Sequence, residues 1–158
     1  MAYALLALAY LLGATPSSYW AGRVGRGLDL REHGSGNLGA TNAYRVLGWR
    51  WALPVVLADM GKGFVPAWLF PGLAGVGPVW ALFFGAAAIL GHMFSFWVGF
   101  RGGKGVATSA GVFLTLAPWA FLGALVVWGM VTFATGYVSL GSIGAAVALP
   151  FLVWLTRP

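Results

Sequence analysis

The sequence predicts an all-α protein, a polytopic bundle of transmembrane helices. Of its 158 residues, 60% are hydrophobic and only 8% are charged, whereas a water-soluble domain carries about 25% charged residues. The apolar residues are also gathered into long runs, at 2–22, 51–70, 78–98, 105–134 and 137–156. Because lipid offers no hydrogen-bond partner to the backbone, runs this apolar are expected to fold as helices.

The runs predict about six spans in a single membrane domain, residues 1–158. The first run lacks the positive start of a secretory signal and is expected to stay in the membrane, and the next two each match one bilayer thickness. The run 105–134 is long for one span and short for two. Pro118 and Trp119 favour a tight turn between two short helices, whereas the terminal Arg157 favours one tilted helix.

Basic residues predict the orientation. They occur between the first two runs and after the third, while the linker "PGLAGVG", 71–77, has none. Positive residues stay cytoplasmic, so the N-terminus is expected outside and both basic segments inside. Topology and anionic ligands therefore explain the net charge of +6 better than nucleic acid, which is not an expected partner. The chain has no cysteine, and neither a metal site nor a cofactor is predicted.

The stretch "GSGNLGATNAYR", 34–45, is the first glycine segment. Its glycines allow the backbone to approach a ligand, its amides and hydroxyls offer hydrogen bonds, and its arginine can bind phosphate through two hydrogen bonds. The candidate phosphate contacts are Gly34, Ser35, Gly36, Asn37, Thr41, Asn42 and Arg45. The alternative is a mobile loop in which Thr41 and Asn42 only cap a helix. A dinucleotide-binding reading of "GSGNLG" fails because no buried strand precedes it.

The stretch "FRGGKGVAT", 100–108, is the second glycine segment. Gly105 stands where a Walker A loop has Ser or Thr, so this is not a nucleotide P-loop. The same physics still favours a phosphate site, because glycine backbone amides, a lysine and the start of a helix converge. The candidate contacts are Gly102, Gly103, Lys104, Gly105 and Thr108. The alternative is a charged turn at the end of a span.

Three further sites carry polar side chains inside apolar runs. Asp59 and Lys62 lie three residues apart in the second apolar run, 51–70, where Lys62 is either a substrate contact or half of a structural ion pair. His92 is a candidate base or phosphate ligand, or a histidine satisfied by the backbone. Ser142 shares a helix face with Ser139, which suits either helix packing or ligand contact.

Several chemistries have no support in the sequence. It contains no G-x-S-x-G elbow, no H-E-x-x-H motif and no pair of carboxylates suited to acid–base work. Two anion-friendly glycine segments on one membrane face instead suit a reaction between a phosphate-bearing soluble molecule and a phosphate-bearing lipid. The alternative is a transporter or channel for small phosphorylated anions, which should show inverted repeats; none is visible.

Both glycine segments, together with "TGYVSLGS", 135–142, and "DMGKG", 59–63, resemble the signatures of the acyl-phosphate-dependent glycerol-3-phosphate acyltransferases, the PlsY type of bacterial inner membranes. The resemblance implies seven spans, an outside N-terminus and three cytoplasmic signature segments. It implies transfer of a fatty acyl group from acyl phosphate to the sn-1 hydroxyl of glycerol 3-phosphate, giving lysophosphatidic acid and phosphate. The expected partners are these substrates, membrane lipid and the enzyme that forms acyl phosphate.

By position, Ser35 and Arg45 match the important serine and arginine of this family, and Gly102, Gly103 and Gly105 match its glycerol-3-phosphate segment. Ser35 and Arg45, together with Lys104 and His92, form the expected catalytic set. The two cations would offset the charge of two phosphate-bearing substrates, and direct attack is simpler than an acyl-enzyme. The base is either His92 or a substrate phosphate. The family continues into a seventh span and a basic tail, so the domain is expected to be incomplete at its C-terminus.

Overall fold

The structure, a computed structural model, describes residues 1–156 and is helical throughout, with no strand among those residues. The all-α prediction is confirmed. Two short 3₁₀ turns occur at Leu30–Glu32 and Phe96–Val98. The α-helices of the described chain are α1 Ala2–Ala14, α2 Ser17–Arg26, α3 Ala40–Leu47, α4 Trp49–Ala74, α5 Trp80–Met93, α6 Val106–Leu116, α7 Pro118–Thr135 and α8 Val138–Leu155.

Four helical segments of the described residues are long and apolar enough to cross a bilayer, and α6 is apolar but shorter. The four are Trp49–Ala74, Trp80–Val98, Pro118–Thr135 and Val138–Leu155. The run 105–134 is divided between α6 and α7 at Ala117, with Pro118 at the start of α7, because proline is favourable in a first helical turn and unfavourable inside a helix. The two-helix interpretation is confirmed. Arg157, which favoured one helix, lies outside the described residues.

The first apolar run is not one continuous helix. It breaks between α1 and α2, where Thr15 has a non-helical ψ of 115° and Pro16 has no N–H to donate. The carbonyl groups exposed by the break accept hydrogen bonds from distant side chains. Ser95 Oγ donates to Ala14 O, and Lys62 Nζ donates to Thr15 O at 2.9 Å. The run 2–22 is therefore a broken helix, and the break brings Lys62 of α4 and Ser95, which follows α5, toward it.

The chain forms two compact units, the first over Met1–Val112 and the second from Phe113 onward. Glycines determine how the helices of the first unit pack. A Cβ on Gly91 would overlap the Tyr10 carbonyl oxygen of α1, and one on Gly63 of α4 would overlap the Thr108 carbonyl oxygen of α6. Small residues let membrane helices approach this closely. Such close packing stabilises helix pairs in lipid, where no hydrophobic driving force brings them together.

In the second unit, α7 and α8 form an antiparallel pair. Gly136 ends α7 in the left-handed conformation, with φ of 75°, which glycine adopts without strain. Gly141 of α8 is buried against Thr132 and the Trp128 backbone of α7. Most other large side chains of the pair are exposed, as expected of surfaces that face lipid.

Replacing Gly63 by alanine should destabilise the first unit, because the new methyl group would overlap the Thr108 carbonyl oxygen. Overpacking of this kind costs about 1–3 kcal/mol. Gly61 lies two residues away on the same helix, and a Cβ there meets nothing within 4 Å, so Gly61→Ala is the matched control and should not destabilise the protein. Thermal denaturation in detergent measures both. Equal midpoints for the two variants would contradict the close α4–α6 contact.

Candidate functional site

An ion-pair network anchors the loop that leads into the first glycine segment. Asp29 is buried and accepts hydrogen bonds from Arg31 Nε at 3.0 Å and Arg31 Nη2 at 2.7 Å, and from Arg23 Nη2 at 3.2 Å. Asp29 Oδ1 also accepts from the backbone N–H of Arg31. Hydrogen bonding by Arg31 lowers the pKa of Asp29 to about 2. Both guanidinium groups lie 5.3 Å from the centre of the Tyr19 ring, so the loop is held from two sides.

Asn42 fixes the shape of the first glycine segment itself. Its buried side chain donates to Leu30 O at 3.2 Å and His33 O at 3.0 Å, and its Oδ1 accepts from the backbone N–H of Ser35 at 2.9 Å. Gly34 has φ of 62°, and a Cβ there would overlap Asn42 Oδ1. The amide of Asn42 is thus used within the protein, where it holds the segment in a defined turn.

The second glycine segment folds back onto the end of α5. The backbone N–H groups of Gly102 and Gly103 donate to Met93 O at 3.0 Å and His92 O at 3.2 Å. A Cβ on Gly102 would overlap the His92 carbonyl oxygen, and Gly105 has φ of 78°. These glycines are therefore required by the close approach and the turn.

The two glycine segments meet at Gly103. A Cβ on Gly103 would overlap His92 Nε2 and would lie 2.8 Å from Leu38 O, so this residue lies between His92 and the first segment. Arg31 Nη1 donates to Val98 O at 3.4 Å and ties the two regions together again. Leu30, Leu38 and Val98 share one buried apolar cluster. The sequence prediction that both segments face the same side is consistent with this contact.

Beneath this meeting point lies a cluster of ionisable groups. Lys62 Nζ is 2.8 Å from Asp59 Oδ1, and His92 Nδ1 is 3.7 Å from the same oxygen. The side chains of Asp59, Lys62 and His92 are only 2%, 7% and 6% exposed. Lys62 also donates to Thr15 O, so the cluster joins α4, α5 and the break after α1.

The remaining candidate residues differ in their exposure and in their contacts. Ser35, Arg45 and Lys104 are exposed, and their side chains form no hydrogen bond or ion pair with residues 1–156. Thr108 is fully buried, and its Oγ1 has no hydrogen-bond partner in the described chain. Ser142 belongs to the second unit, where its Oγ donates to Val138 O at 2.9 Å. Asn37 and Thr41 are half-buried.

An open cleft of about 320 Å³ adjoins the first glycine segment and is lined by Arg31, Glu32, Gly36 and Arg101. Arg31 is paired with Asp29, so Arg101 is the cation of the lining that suits the cleft to an anion. Gly36 belongs to the first glycine segment and Arg101 to the second, so both segments contribute to the lining. The cleft is wide enough for a small phosphorylated molecule.

Sequence reasoning missed three structural partners in this region. Asp29 was not singled out, although its spacing from Arg31 places both in one short turn. Ser95 and Thr15 gave no signal at all, because a serine hydroxyl and a backbone carbonyl become informative only when the helix break is known.

Comparisons with known proteins agree with the geometry. Residues 3–158 match the sequence model of a family described as glycerol-3-phosphate acyltransferase. The glycerol-3-phosphate acyltransferase of Geobacillus kaustophilus is 48% identical over 153 residues, which cover 96% of this chain and 77% of the relative. That of Chlorobaculum tepidum is 41% identical over 164 residues, covering 98% of this chain and 71% of the relative.

Two solved structures are also similar. Both are crystal structures of PlsY (YgiH), an integral membrane glycerol 3-phosphate acyltransferase, one in a glycerol 3-phosphate form and one in a lysophosphatidic acid form. The identities are 39% and 38%, and the TM-scores are 0.87 and 0.88. Each comparison covers 99% of this chain and 78% of the solved chain.

Replacing Asp29 by asparagine should make stability less sensitive to acid. The pKa of Asp29 is lowered from 3.8 to about 2 in the folded protein, so its contribution is present above pH 3.8 and is lost as the pH falls toward 2. Asp29→Asn should therefore lower the denaturation midpoint at neutral pH and flatten its decline in acid. Thermal scans between about pH 5 and about pH 2.5 measure this. Glu32→Gln, in the same turn but exposed, is the control and should leave the wild-type decline intact; a decline as steep in Asp29→Asn as in wild type would contradict the network.

Proposed function

The chain belongs to the glycerol-3-phosphate acyltransferase family, and we propose that its acyl donor is acyl phosphate and its acceptor the sn-1 hydroxyl of glycerol 3-phosphate. The protein is a multi-pass membrane acyltransferase of phospholipid synthesis. The products of the proposed reaction are lysophosphatidic acid and inorganic phosphate. The solved PlsY structures contain glycerol 3-phosphate and lysophosphatidic acid forms, which supports this acceptor and this lipid product.

The observation that carries the proposal is the meeting of the two glycine segments at Gly103, beside His92. Each segment offers backbone amides and an exposed cation, Arg45 in one and Lys104 in the other. Acyl phosphate and glycerol 3-phosphate both carry phosphate, so their mutual repulsion must be offset before they can react. Two cations on adjoining segments supply that charge, and the arginine-lined cleft attracts anions to it.

The proposed chemistry is a direct transfer. The sn-1 oxygen of glycerol 3-phosphate attacks the carbonyl carbon of acyl phosphate, a new C–O bond forms, and the C–O bond to phosphate breaks. The phosphate leaves with the bonding electrons, and the hydroxyl proton passes to a base. Arg45, Lys104 and those amides of the glycine segments that are not bonded within the protein offset the charge of both substrates and stabilise the departing phosphate. Two groups can take the proton, His92 Nε2 and a phosphate oxygen of a substrate.

The other candidate residues have supporting roles in this proposal. Ser35 presents a hydroxyl beside the glycines of the first segment, and Asn37 and Thr41 offer hydrogen bonds to substrate oxygens. Lys62 acts indirectly, since its ammonium group is already engaged by Asp59 and Thr15. The candidate substrate-binding backbone comprises Gly34, Gly36, Gly102, Gly103 and Gly105. Asn42 contributes indirectly, because its amide holds the first segment in shape, and Thr108 and Ser142 stay further candidates.

The proposal places the protein in the bacterial inner membrane with its N-terminus outside and both glycine segments in the cytoplasm. The clustering of arginine and lysine in those segments supports this orientation. Acyl phosphate is hydrolytically reactive and amphiphilic. The enzyme that forms it is therefore a natural partner at the membrane surface.

The donor assignment is tested with the chain reconstituted in lipid vesicles. Labelled glycerol 3-phosphate is supplied with acyl phosphate, with acyl-CoA or with no donor, and labelled lysophosphatidic acid is measured. We expect product with acyl phosphate alone. Product formed with acyl-CoA but not with acyl phosphate would show that the donor assignment is wrong. Uptake of glycerol 3-phosphate into the vesicles without product would favour a transporter for phosphorylated anions.

Replacing Lys104 by alanine should weaken binding of glycerol 3-phosphate, because the proposed contact between its ammonium group and phosphate is lost. The fold should stay intact, because the side chain is exposed and has no partner in the described residues. Loss of a hydrogen bond to a charged group costs about 1.5–3 kcal/mol, so the KM for glycerol 3-phosphate should rise roughly 10- to 100-fold. Steady-state kinetics measure the change.

Arg50→Ala is the matched control for Lys104→Ala. Arg50 is also an exposed cation of a basic segment, but it stacks against Trp49 at 5.8 Å instead of lying in a glycine segment. Its removal should leave the KM close to that of wild type. Equal increases in both variants would indicate general surface electrostatics and would remove Lys104 from the site.

A further inference from the structure

We propose that Arg26 and Arg50, the two arginines at the contact between α2 and α4, bind the headgroup of an anionic phospholipid at the membrane surface. The lipid is neither substrate nor product of the proposed reaction. This surface is therefore additional to the acyltransferase site.

These two arginines stand outside both the glycine segments and the Asp29 network. In that network, Arg23 and Arg31 are already paired with the carboxylate. Arg26 and Arg50 are exposed instead, and neither forms a hydrogen bond or an ion pair with residues 1–156. Their guanidinium groups are therefore available to an anion from outside the protein.

A close contact between α2 and α4 brings the two arginines together. Gly25 of α2 faces the Trp51 ring of α4, where a Cβ on the glycine would lie 2.6 Å from Trp51 Cε2. Arg26 follows Gly25 and Arg50 precedes Trp51, so both arginines adjoin the same contact. No carboxylate among the described residues pairs with either of them. Neighbouring like charges repel each other, and an anion bound by both arginines removes that cost.

The position of this contact along α4 places it at the level of the lipid headgroups. The helix Trp49–Ala74 is long and apolar enough to cross a bilayer, and Trp49 and Arg50 are its first two residues. The start of such a helix lies where hydrocarbon gives way to phosphate and water. The Arg50 guanidinium lies 5.8 Å from the centre of the Trp49 ring, which is 64% exposed. This pair suits the interface, because the indole contacts acyl chains while the cation reaches phosphate.

Another face of α2 also indicates contact with lipid. Trp20 and Val24 are four residues apart, so they lie on one face of the helix. They are 52% and 75% exposed, and apolar side chains this exposed are favourable beside acyl chains and unfavourable in water. Both helices of the contact therefore border the bilayer, and we expect the ligand to come from the membrane rather than from solution.

The charge of the two arginines selects an anionic phospholipid, such as phosphatidylglycerol. Every phospholipid has a phosphate, but a zwitterionic headgroup also carries an ammonium group that the arginines repel. A headgroup with net negative charge lacks that penalty and can accept hydrogen bonds from both guanidinium groups. Each basic side chain near an anionic membrane surface strengthens binding by about fivefold. Because Arg50 would hold lipid rather than glycerol 3-phosphate, its removal is not expected to change the KM for that substrate.

Binding of fluorescent phosphatidylglycerol to the whole chain in nonionic detergent micelles tests the proposal, with a fluorescent phosphatidylcholine of the same acyl chains for comparison. The wild-type chain should bind phosphatidylglycerol about 10- to 30-fold more tightly than phosphatidylcholine. Arg26→Gln/Arg50→Gln should weaken phosphatidylglycerol binding by the same factor and change phosphatidylcholine binding less than about twofold. Arg26→Lys/Arg50→Lys, which keeps both charges, should retain most of the affinity.

Arg101→Gln/Lys104→Gln is the matched control, because it removes two exposed cations of the second glycine segment and hence the same net charge. It should change phosphatidylglycerol affinity less than about twofold. Equal losses in the two double glutamine variants would show a response to net charge and would overturn the proposal. Equal binding of both lipids by the wild-type chain would overturn it too, as would displacement of the lipid by inorganic phosphate, which indicates a site for soluble anions. If Arg26→Gln/Arg50→Gln does not fold, the wild-type preference and its reduction in each single variant decide instead.

Discussion

Asp59 and Lys62 form an ion pair inside a membrane helix, and much of the first unit is organised around it. Lys62 reaches across to the carbonyl group of Thr15, where the first apolar run breaks. Asp59 faces His92 at the end of α5. Charges and free carbonyl groups are costly where water is absent. Each of these groups therefore needs the others, and satisfying them brings α1, α4 and α5 together directly beneath the glycine segments.

Close contacts at glycine residues bring the helices and the second glycine segment together. Gly63 lets α6 approach α4, and Gly102 and Gly103 let the second glycine segment lie against His92. The first segment is held independently, by the Asp29 network from below and by Asn42 from within. The backbone of both segments is thus ordered while Ser35, Arg45 and Lys104 stay exposed. A prearranged backbone with free cations suits transfer between two phosphate-bearing substrates, because little reorganisation is needed when they bind.

Much of this could be predicted from the sequence because the membrane imposes simple rules. The helical class and the division of 105–134 at Pro118 follow from hydropathy and proline chemistry. The placement of both glycine segments on one side follows from the pattern of basic residues. The break at Pro16 was missed because polar partners compensate for it from positions far along the chain. The internal role of Asn42 was missed for a related reason. An asparagine in a glycine-rich segment has the same sequence signature whether it binds a ligand or the loop itself.

The central claim is that acyl phosphate and glycerol 3-phosphate react directly on the surface formed by the two glycine segments. The most direct measurement is phosphate release in a single turnover, with the chain in excess over acyl-labelled acyl phosphate and with glycerol 3-phosphate either present or omitted. The account predicts that phosphate appears only with the acceptor, in a 1:1 ratio with labelled lysophosphatidic acid. A burst of phosphate without acceptor, with the label attached to the protein, would contradict direct transfer.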